Sequence, residues 1–335
     1  MIDGQNSHME YALPTPIAPT LAVGADPADG RASGDGRTAR LGGPADLAVE
    51  QILVDLHPGC PARRWAAERG LPVRAVARHH ALVAAVMVAH GLGPDDEVIG
   101  FAFDGGGYGP DGTTWGGEVL VASYKGVRRF AHLAPVRYAG VSLHRATSPG
   151  RPEVAAGAAG RGRHRLALAY LRAAGVPWDL DLAPVRACPS RERRVLAAQL
   201  DSGHGCGTTS SMGMLLDSLA AITGGPGTPP PEGPARPYPM TGPEPADLVR
   251  GVVADVRAGV AADRIAARIR ATVADLVADL ADRCRDETGL DRVVLAGDAL
   301  ADPAPARRLA TAGFTVLTRA APLPVGQLAI AAAGG

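Results

Sequence analysis

Apolar residues recur along this chain at two spacings, and together they predict strands alternating with helices. Ile17 to Val23 has the make-up of a strand, within residues 1–45 whose Gly, Ala, Asp and Pro otherwise predict loop. Ala45 to Val54 repeats at helical and then strand spacing and runs into Asp55-Leu56-His57-Pro58. Trp65 to Arg69 predicts a helix, Val73 to Val76 a short buried strand, and Ala81 to His90 a strongly apolar helix closed by Gly91. Glu97 to Phe103 is a strand that leads straight into a glycine run. Glu118 to Ser123 and Arg128 to Leu133 alternate as a hairpin turning at Lys125-Gly126. The Gly/Pro/Arg-rich stretch 147–164 predicts a mobile connection, and Arg165 to Ala174 a helix. Thr208 to Ile222 opens with hydroxyl residues suited to capping an apolar helix. The dense Gly-Pro run over 224–245 is the best linker candidate. Ala246 to Glu287 then predicts two helices broken near Gly259, followed by a strand at Arg292 to Leu295, a helix at Ala304 to Ala312 and a strand at Phe314 to Leu317. This order indicates an α/β fold. No internal repeat is visible.

Composition narrows the picture. Across 335 residues, hydrophobic types make up 46% and aromatics 4%, so a large core of aliphatic side chains is expected. Lys+Arg and Asp+Glu both number 34, a balance that favours neither nucleic acid nor an anionic membrane as partner. No apolar run reaches the length of a membrane span, and residues 1–6 have the character of neither a signal peptide nor a basic leader. The four cysteines lack CxxC spacing and read as reduced thiols in a cytoplasmic protein.

Chemistry concentrates in Phe103-Asp104-Gly105-Gly106-Gly107-Tyr108-Gly109-Pro110-Asp111-Gly112-Thr113-Thr114-Trp115-Gly116-Gly117-Glu118. A carboxylate at a strand end followed by glycines presents bare backbone N–H groups to phosphate oxygens, and Asp104 is placed to orient a cation or an attacking group. A glycine-rich hairpin that merely turns is the plainer alternative.

This run resembles a signature of the HypF-type hydrogenase-maturation carbamoyltransferases. Asp55-Leu56-His57-Pro58 with Arg64-Trp65-Ala66, and Thr209-Ser210-Ser211-Met212-Gly213 with Asp217, resemble further segments of that family in the same order, over about residues 50–330. The resemblance implies an actin-like ATPase (sugar kinase and heat-shock ATPase) fold: two α/β lobes around a central nucleotide cleft. The lobes are placed at 46–175, with the glycine-rich loop, and 176–335, after a partly looped segment 1–45. It also implies transfer of a carbamoyl group from carbamoyl-adenylate to a protein thiol or small-molecule acceptor, with ATP or the adenylate (AMP) bound. By resemblance, Gly105, Gly106, Gly107, Gly116 and Gly117 cradle phosphate, Ser210 and Ser211 lie at the cleft, and Gly297 stands in the loop that meets the nucleotide. Asp104 and Glu118 serve as polar anchors of the catalytic site, with Arg78 as charge stabiliser.

The sequence also departs from the family. Arg78 and Leu82 stand where the family has the two histidines of a metal-binding His-x-x-x-His. The aspartate of a later Asn-Asp-Gly-Gly is missing at Ala321-Pro322-Leu323-Pro324, and Asp298 replaces a glycine. No metal is therefore expected. His79 and His80 are adjacent, point about 100° apart on a helix, and read as surface or cap histidines. Arg78 either fills the vacated place with fixed charge, or pairs with a carboxylate or faces water. The adenylate-forming, zinc-finger and acylphosphatase-like parts of full-length relatives have no counterpart in these residues, so a partner protein is expected to supply or accept the carbamoyl group. The competing expectation is a pseudoenzyme that binds nucleotide or scaffolds a catalytic relative. A new site around Cys60, His57 or His204 is weighed against ordinary structural roles.

Overall fold

The computed structural model describes residues 20–23, 38–41, 51–58, 72–139, 152–224, 235–321 and 323–333, with Cys60, Arg63, Ala67, Glu68 and Gly70 between them. Strands β1 (Thr20–Val23), β2 (Thr38–Leu41), β3 (Gln51–Asp55) and β4 (Val73–Val76) form a small sheet in the order β2-β1-β3-β4. β1 is antiparallel to β2 and parallel to β3, and β3 is parallel to β4. Helix α1 (Arg78–Ala89) crosses to a larger sheet that opens with β5 (Val98–Tyr108), β6 (Thr114–Ala122), β7 (Val127–His132) and β8 (Val136–Ala139). Then follow α2 (Pro152–Ala173), α3 (Ala183–Ala187), α4 (Ser190–Ser202), β9 (Cys206–Thr209) and α5 (Met212–Thr223). The chain ends with α6 (Pro245–Arg257), α7 (Ala262–Thr288), β10 (Arg292–Ala296), a 3-10 turn at Asp298–Leu300, α8 (Pro303–Thr311), β11 (Thr315–Leu317) and α9 (Leu323–Ala333).

In the larger sheet β7, β6 and β5 form an antiparallel meander, and β10 and β11 add parallel to β5. The path β7-β6-β5-β10-β11 matches the small sheet's β2-β1-β3-β4, lengthened by one meander strand. A structural duplication is thus present where the sequence shows no repeat. The change of sheet falls between Val76 and Val98, and strands on both sides of residue 175 pair within the larger sheet.

Period-two alternation makes the larger sheet a wall between two cores. Ile99, Phe101, Phe103, Val119, Val121, Val293 and Leu295 face the core built with α2 and α5 to α7. Val98, Ala102, Leu120, Ala122, Val294 and Ala296 face the second, built with α1 and α9. Close approach on that side requires glycine. A Cβ at Gly100 would lie 2.7 Å from Val83 Cγ2, and one at Gly326 would lie 2.1 Å from the Ala81 carbonyl oxygen. No described helix is long and apolar enough to cross a membrane.

Several expectations change. The expected connection at 147–164 is helical from Pro152 onward, because its Ala and Arg residues, both strong helix formers, outweigh roughly 1 kcal/mol per interior glycine. Val73 begins a strand but is 39% exposed, because β4 forms the free edge of the small sheet. The described half of the Gly-Pro stretch, from Ala235, is packed and not a loose linker. Tyr238 is buried, donates to Asp255 Oδ2 at 2.6 Å, and stacks 3.9 Å beneath the Arg268 guanidinium. β2 was unforeseen, and the helix expected at 65–69 lies largely outside the described residues.

His80 is buried, not a surface residue, and its Nε2 lies 2.6 Å from the Ser123 carbonyl. Burial lowers its pKa below the ordinary 6.5, and the bond to Ser123 only partly opposes this. The unfolded state therefore binds the proton more readily, and His80's contribution is complete above about pH 6.5 and declines as pH falls through that value. Denaturant midpoints should drop from pH 7.5 to 5.5, and the drop should shrink in His80→Gln, which retains an N–H for Ser123.

Candidate functional site

The glycine run is not a loop between strands. β5 continues through it to Tyr108, with a register shift between Phe103 and Gly107 where the ladder with β6 breaks. The irregularity turns the Asp104 side chain towards the start of α1. Arg78 Nε donates to Asp104 Oδ2 at 3.1 Å, His79 Nε2 lies 3.3 Å from Oδ1, and the Gly106 N–H reaches Oδ1 at 2.9 Å. Asp104 is 3% exposed and His79 1%. Burial pushes the Asp104 carboxyl up, but the hydrogen bond and charge of His79, with those of Arg78, outweigh it and hold the group at about 2. It stands as a carboxylate at any working pH. Arg78 is thus paired with a carboxylate and does not face water alone.

A second polar centre lies under the same hairpin. Glu118 is fully buried; its Oε2 accepts from Arg129 Nε at 2.6 Å, and its Oε1 accepts from the Ser210 hydroxyl at 2.5 Å and the Gly116 N–H at 3.3 Å. Arg129 also reaches Asp111 Oδ2 at 3.1 Å and lies 4.2 Å over the Trp115 ring, whose Nε1 donates to Asp111 at 2.9 Å. The ring of Trp115 stands 5.8 Å from that of His79, which connects the two centres. Arg129, Asp111, Trp115 and His79 are members that sequence reasoning did not assign. The Lys125-Gly126 turn carried a signal, because the register it sets puts Arg129 opposite Leu120, two residues along the neighbouring strand from Glu118. His79 was missed because only the fold shows which way the adjacent histidines point.

The expected site residues divide by exposure. Gly105 is exposed, with nothing within 4 Å of where a Cβ would stand. Gly106 is buried at φ +125°, and Gly107 packs on Arg78 Cδ and His79 Cε1, each 2.9 Å from an added Cβ. Gly116 and Gly117 are buried against Asp104 and the Ser210 carbonyl, so they let the hairpin close and do not face the opening. Ser210 is engaged with Glu118 and Arg129. Ser211 caps α5 by accepting from the Met214 N–H at 3.1 Å and donates to the Asp104 carbonyl at 2.8 Å. Gly297, at φ +97°, lies against the Phe103 carbonyl.

Three backbone turns therefore meet at Asp104–Gly105: the hairpin, the N-terminus of α5 and the Gly297 turn. A Cβ at Gly213, in the first turn of α5, would lie 2.7 Å from Gly105 Cα. A pocket of about 280 Å³ lies further along α5, lined by Leu216, Ala220, Ile269, Val273, Ala299 and Pro305, with an Arg270–Asp302 pair (3.5 Å) at its side. The α5 helix runs from the meeting point into this pocket, as does the turn after Gly297.

Duplicated sheet topology and a glycine hairpin at their junction define an α/β protein of the actin-like ATPase type. Residues 100–236 match the family model described as "Carbamoyltransferase, Kae1-like Domain, second subdomain", and residues 29–89 match "HypF Kae1-like domain". A carbamoyltransferase HypF of Rhodobacter capsulatus is 37% identical over 185 residues, 53% of this chain and 22% of the relative. Full-length HypF in a phosphate- and nucleotide-bound form superposes with a TM-score of 0.70 at 27% identity, over 85% of this chain and 39% of that one. HypF of T. kodakarensis gives 0.72 at 21% identity, over 97% and 48%. The chain belongs to the HypF-type carbamoyltransferase family, as its Kae1-like domain, and spans less than half the length of these relatives.

Proposed function

We propose that this domain binds an adenine nucleotide and passes a carbamoyl group from carbamoyl-adenylate to a protein thiol or small-molecule acceptor, without a protein-held metal ion. The observation that carries the reading is the meeting of hairpin, α5 N-terminus and Gly297 turn at Asp104–Gly105, with an apolar pocket further along α5. N–H groups at the start of α5 suit a phosphate, and the pocket suits a nucleobase. The relative in a phosphate- and nucleotide-bound form supports nucleotide binding. Asp104, already holding Arg78 and His79, is too weak a base to take a proton and serves as an anchor.

The residues at the family's ion corner do not fit a cation. Arg78 brings a permanent positive charge bound to Asp104, and Leu82 has no donor atom. Asp298 borders the turn after Gly297, where its charge disfavours phosphate at close range. A second reading, a nucleotide-binding or scaffolding pseudoenzyme, draws on the internal saturation of Glu118, Ser210 and Ser211. A cytoplasmic setting suits the four free thiols, and a protein partner in hydrogenase maturation or a biosynthetic pathway suits the family.

Calorimetric titration with AMP and ATP, with and without magnesium, tests the site. Micromolar binding that survives chelation is expected, and no binding under either condition sinks the reading. Acceptor-dependent AMP release from carbamoyl-adenylate separates the enzyme from the pseudoenzyme.

A further inference from the structure

β3 and β4 are parallel with Asp55 opposite Val76, so the turns that follow them open at one end of the small sheet. Ligands of open α/β sheets collect outside such carboxyl ends. Arg78 follows β4 and reaches Asp104, whereas His57 follows β3 and sets its ring edge-on to Tyr108, with centroids 5.5 Å apart and planes at 81°. Tyr108 comes directly after Gly107, the residue packed on Arg78 and His79. Two contacts thus span from the small sheet to the same stretch of β5, and both rings are partly exposed.

The turn that carries His57 is braced. Its own N–H donates to Asp55 Oδ1 at 2.8 Å, Arg63 Nη2 reaches the carbonyls of Asp55 and Leu56 at 3.3 Å, and the Cys60 N–H reaches the His57 carbonyl at 3.0 Å. Among the described residues, Tyr108 packs on the ring itself, Asp55, Arg63 and Cys60 are the charged and titratable groups of its own turn, and Arg78 starts the adjoining helix.

Carbamoyl transfer to a thiol or hydroxyl needs a group that takes the acceptor's proton near neutral pH, a task suited to imidazole. Asp104 and Glu118 are occupied by cations, and His79 and His80 are buried. We propose that His57 is the catalytic residue on the acceptor side, an assignment that rests on the group-transfer reading above. The acceptor's sulfur or oxygen bonds to the carbamoyl carbon, and the bond from that carbon to the phosphate oxygen breaks. The electron pair leaves with AMP, and the acceptor's proton passes to His57 and then to water.

The test supplies synthetic carbamoyl-adenylate to the full chain with N-acetylcysteine amide as thiol probe. His57→Gln should lower thiol-dependent AMP release about 100-fold or more, abolish the acidic limb of the pH–rate profile, and leave AMP affinity within about twofold. His57→Gly should recover part of the rate when imidazole is added. Release by His57→Gln within about threefold of the parent overturns the assignment. So does a loss of AMP binding in parallel with a lowered melting temperature in both variants, which would make His57 a structural residue. If the parent binds AMP but shows no thiol-dependent release, the group-transfer reading fails and His57 falls with it. Intact transfer in His57→Gln removes His57 alone.

Discussion

Glu118→Ala is expected to destabilise the domain by about 3–5 kcal/mol, a large share of the roughly 5–15 kcal/mol that holds a typical domain folded. The carboxylate is fully buried and accepts from Arg129, Ser210 and the Gly116 N–H. Deletion leaves the Arg129 guanidinium facing a cavity with Asp111 as its remaining carboxylate partner. The intact pair is weak evidence of stability, because its attraction is largely spent on removing two charges from water. Losing one member is costly, because Arg129 then keeps its desolvation penalty with only the Asp111 carboxylate to offset it. Denaturant unfolding should show the full loss, and Glu118→Gln, which can still accept from Ser210, should show a smaller one. Wild-type stability in the alanine variant would refute the role assigned to this centre.

Gly297→Ala is expected to cost about 2–5 kcal/mol, from a strained backbone and a steric overlap combined. At φ +97° a side chain is strained even in open space, and here the added Cβ would stand 2.2 Å from the Phe103 carbonyl oxygen. That contact is backbone, so no rotamer change relieves it; β10 or β5 must move. Because β5 carries Asp104 next in line, AMP affinity should fall together with the melting temperature. A variant that retains both would show that the Gly297 turn does not support the cradle.

Local signals explain what the sequence disclosed. The break at Gly259, the Ser211 cap, the Lys125-Gly126 hairpin and the short strands near the end are each set by residues within a few positions, and each is present. Asp104 and the glycines were legible as a chemical cluster because their composition is unusual for a strand. What local pattern could not reveal was direction. Gly116, Gly117, Ser210 and Ser211 read as cleft residues, yet they are buried between hairpin and α5, and only long-range packing decides which face of an irregular strand meets water. His79 and His80 show the same limit: one residue apart, one serves the Asp104 centre and the other the Ser123 carbonyl.

The order of strands in the larger sheet bears on how this chain reaches its folded state. β5 lies at the centre between β6, its immediate successor, and β10, which arrives only after nine further elements of mostly helical chain. Contacts of such long sequence separation slow folding, because chain entropy must be lost before they form. The apolar edge of β5 therefore waits without its neighbour during synthesis, and overproduced protein is at greatest risk of association in that interval.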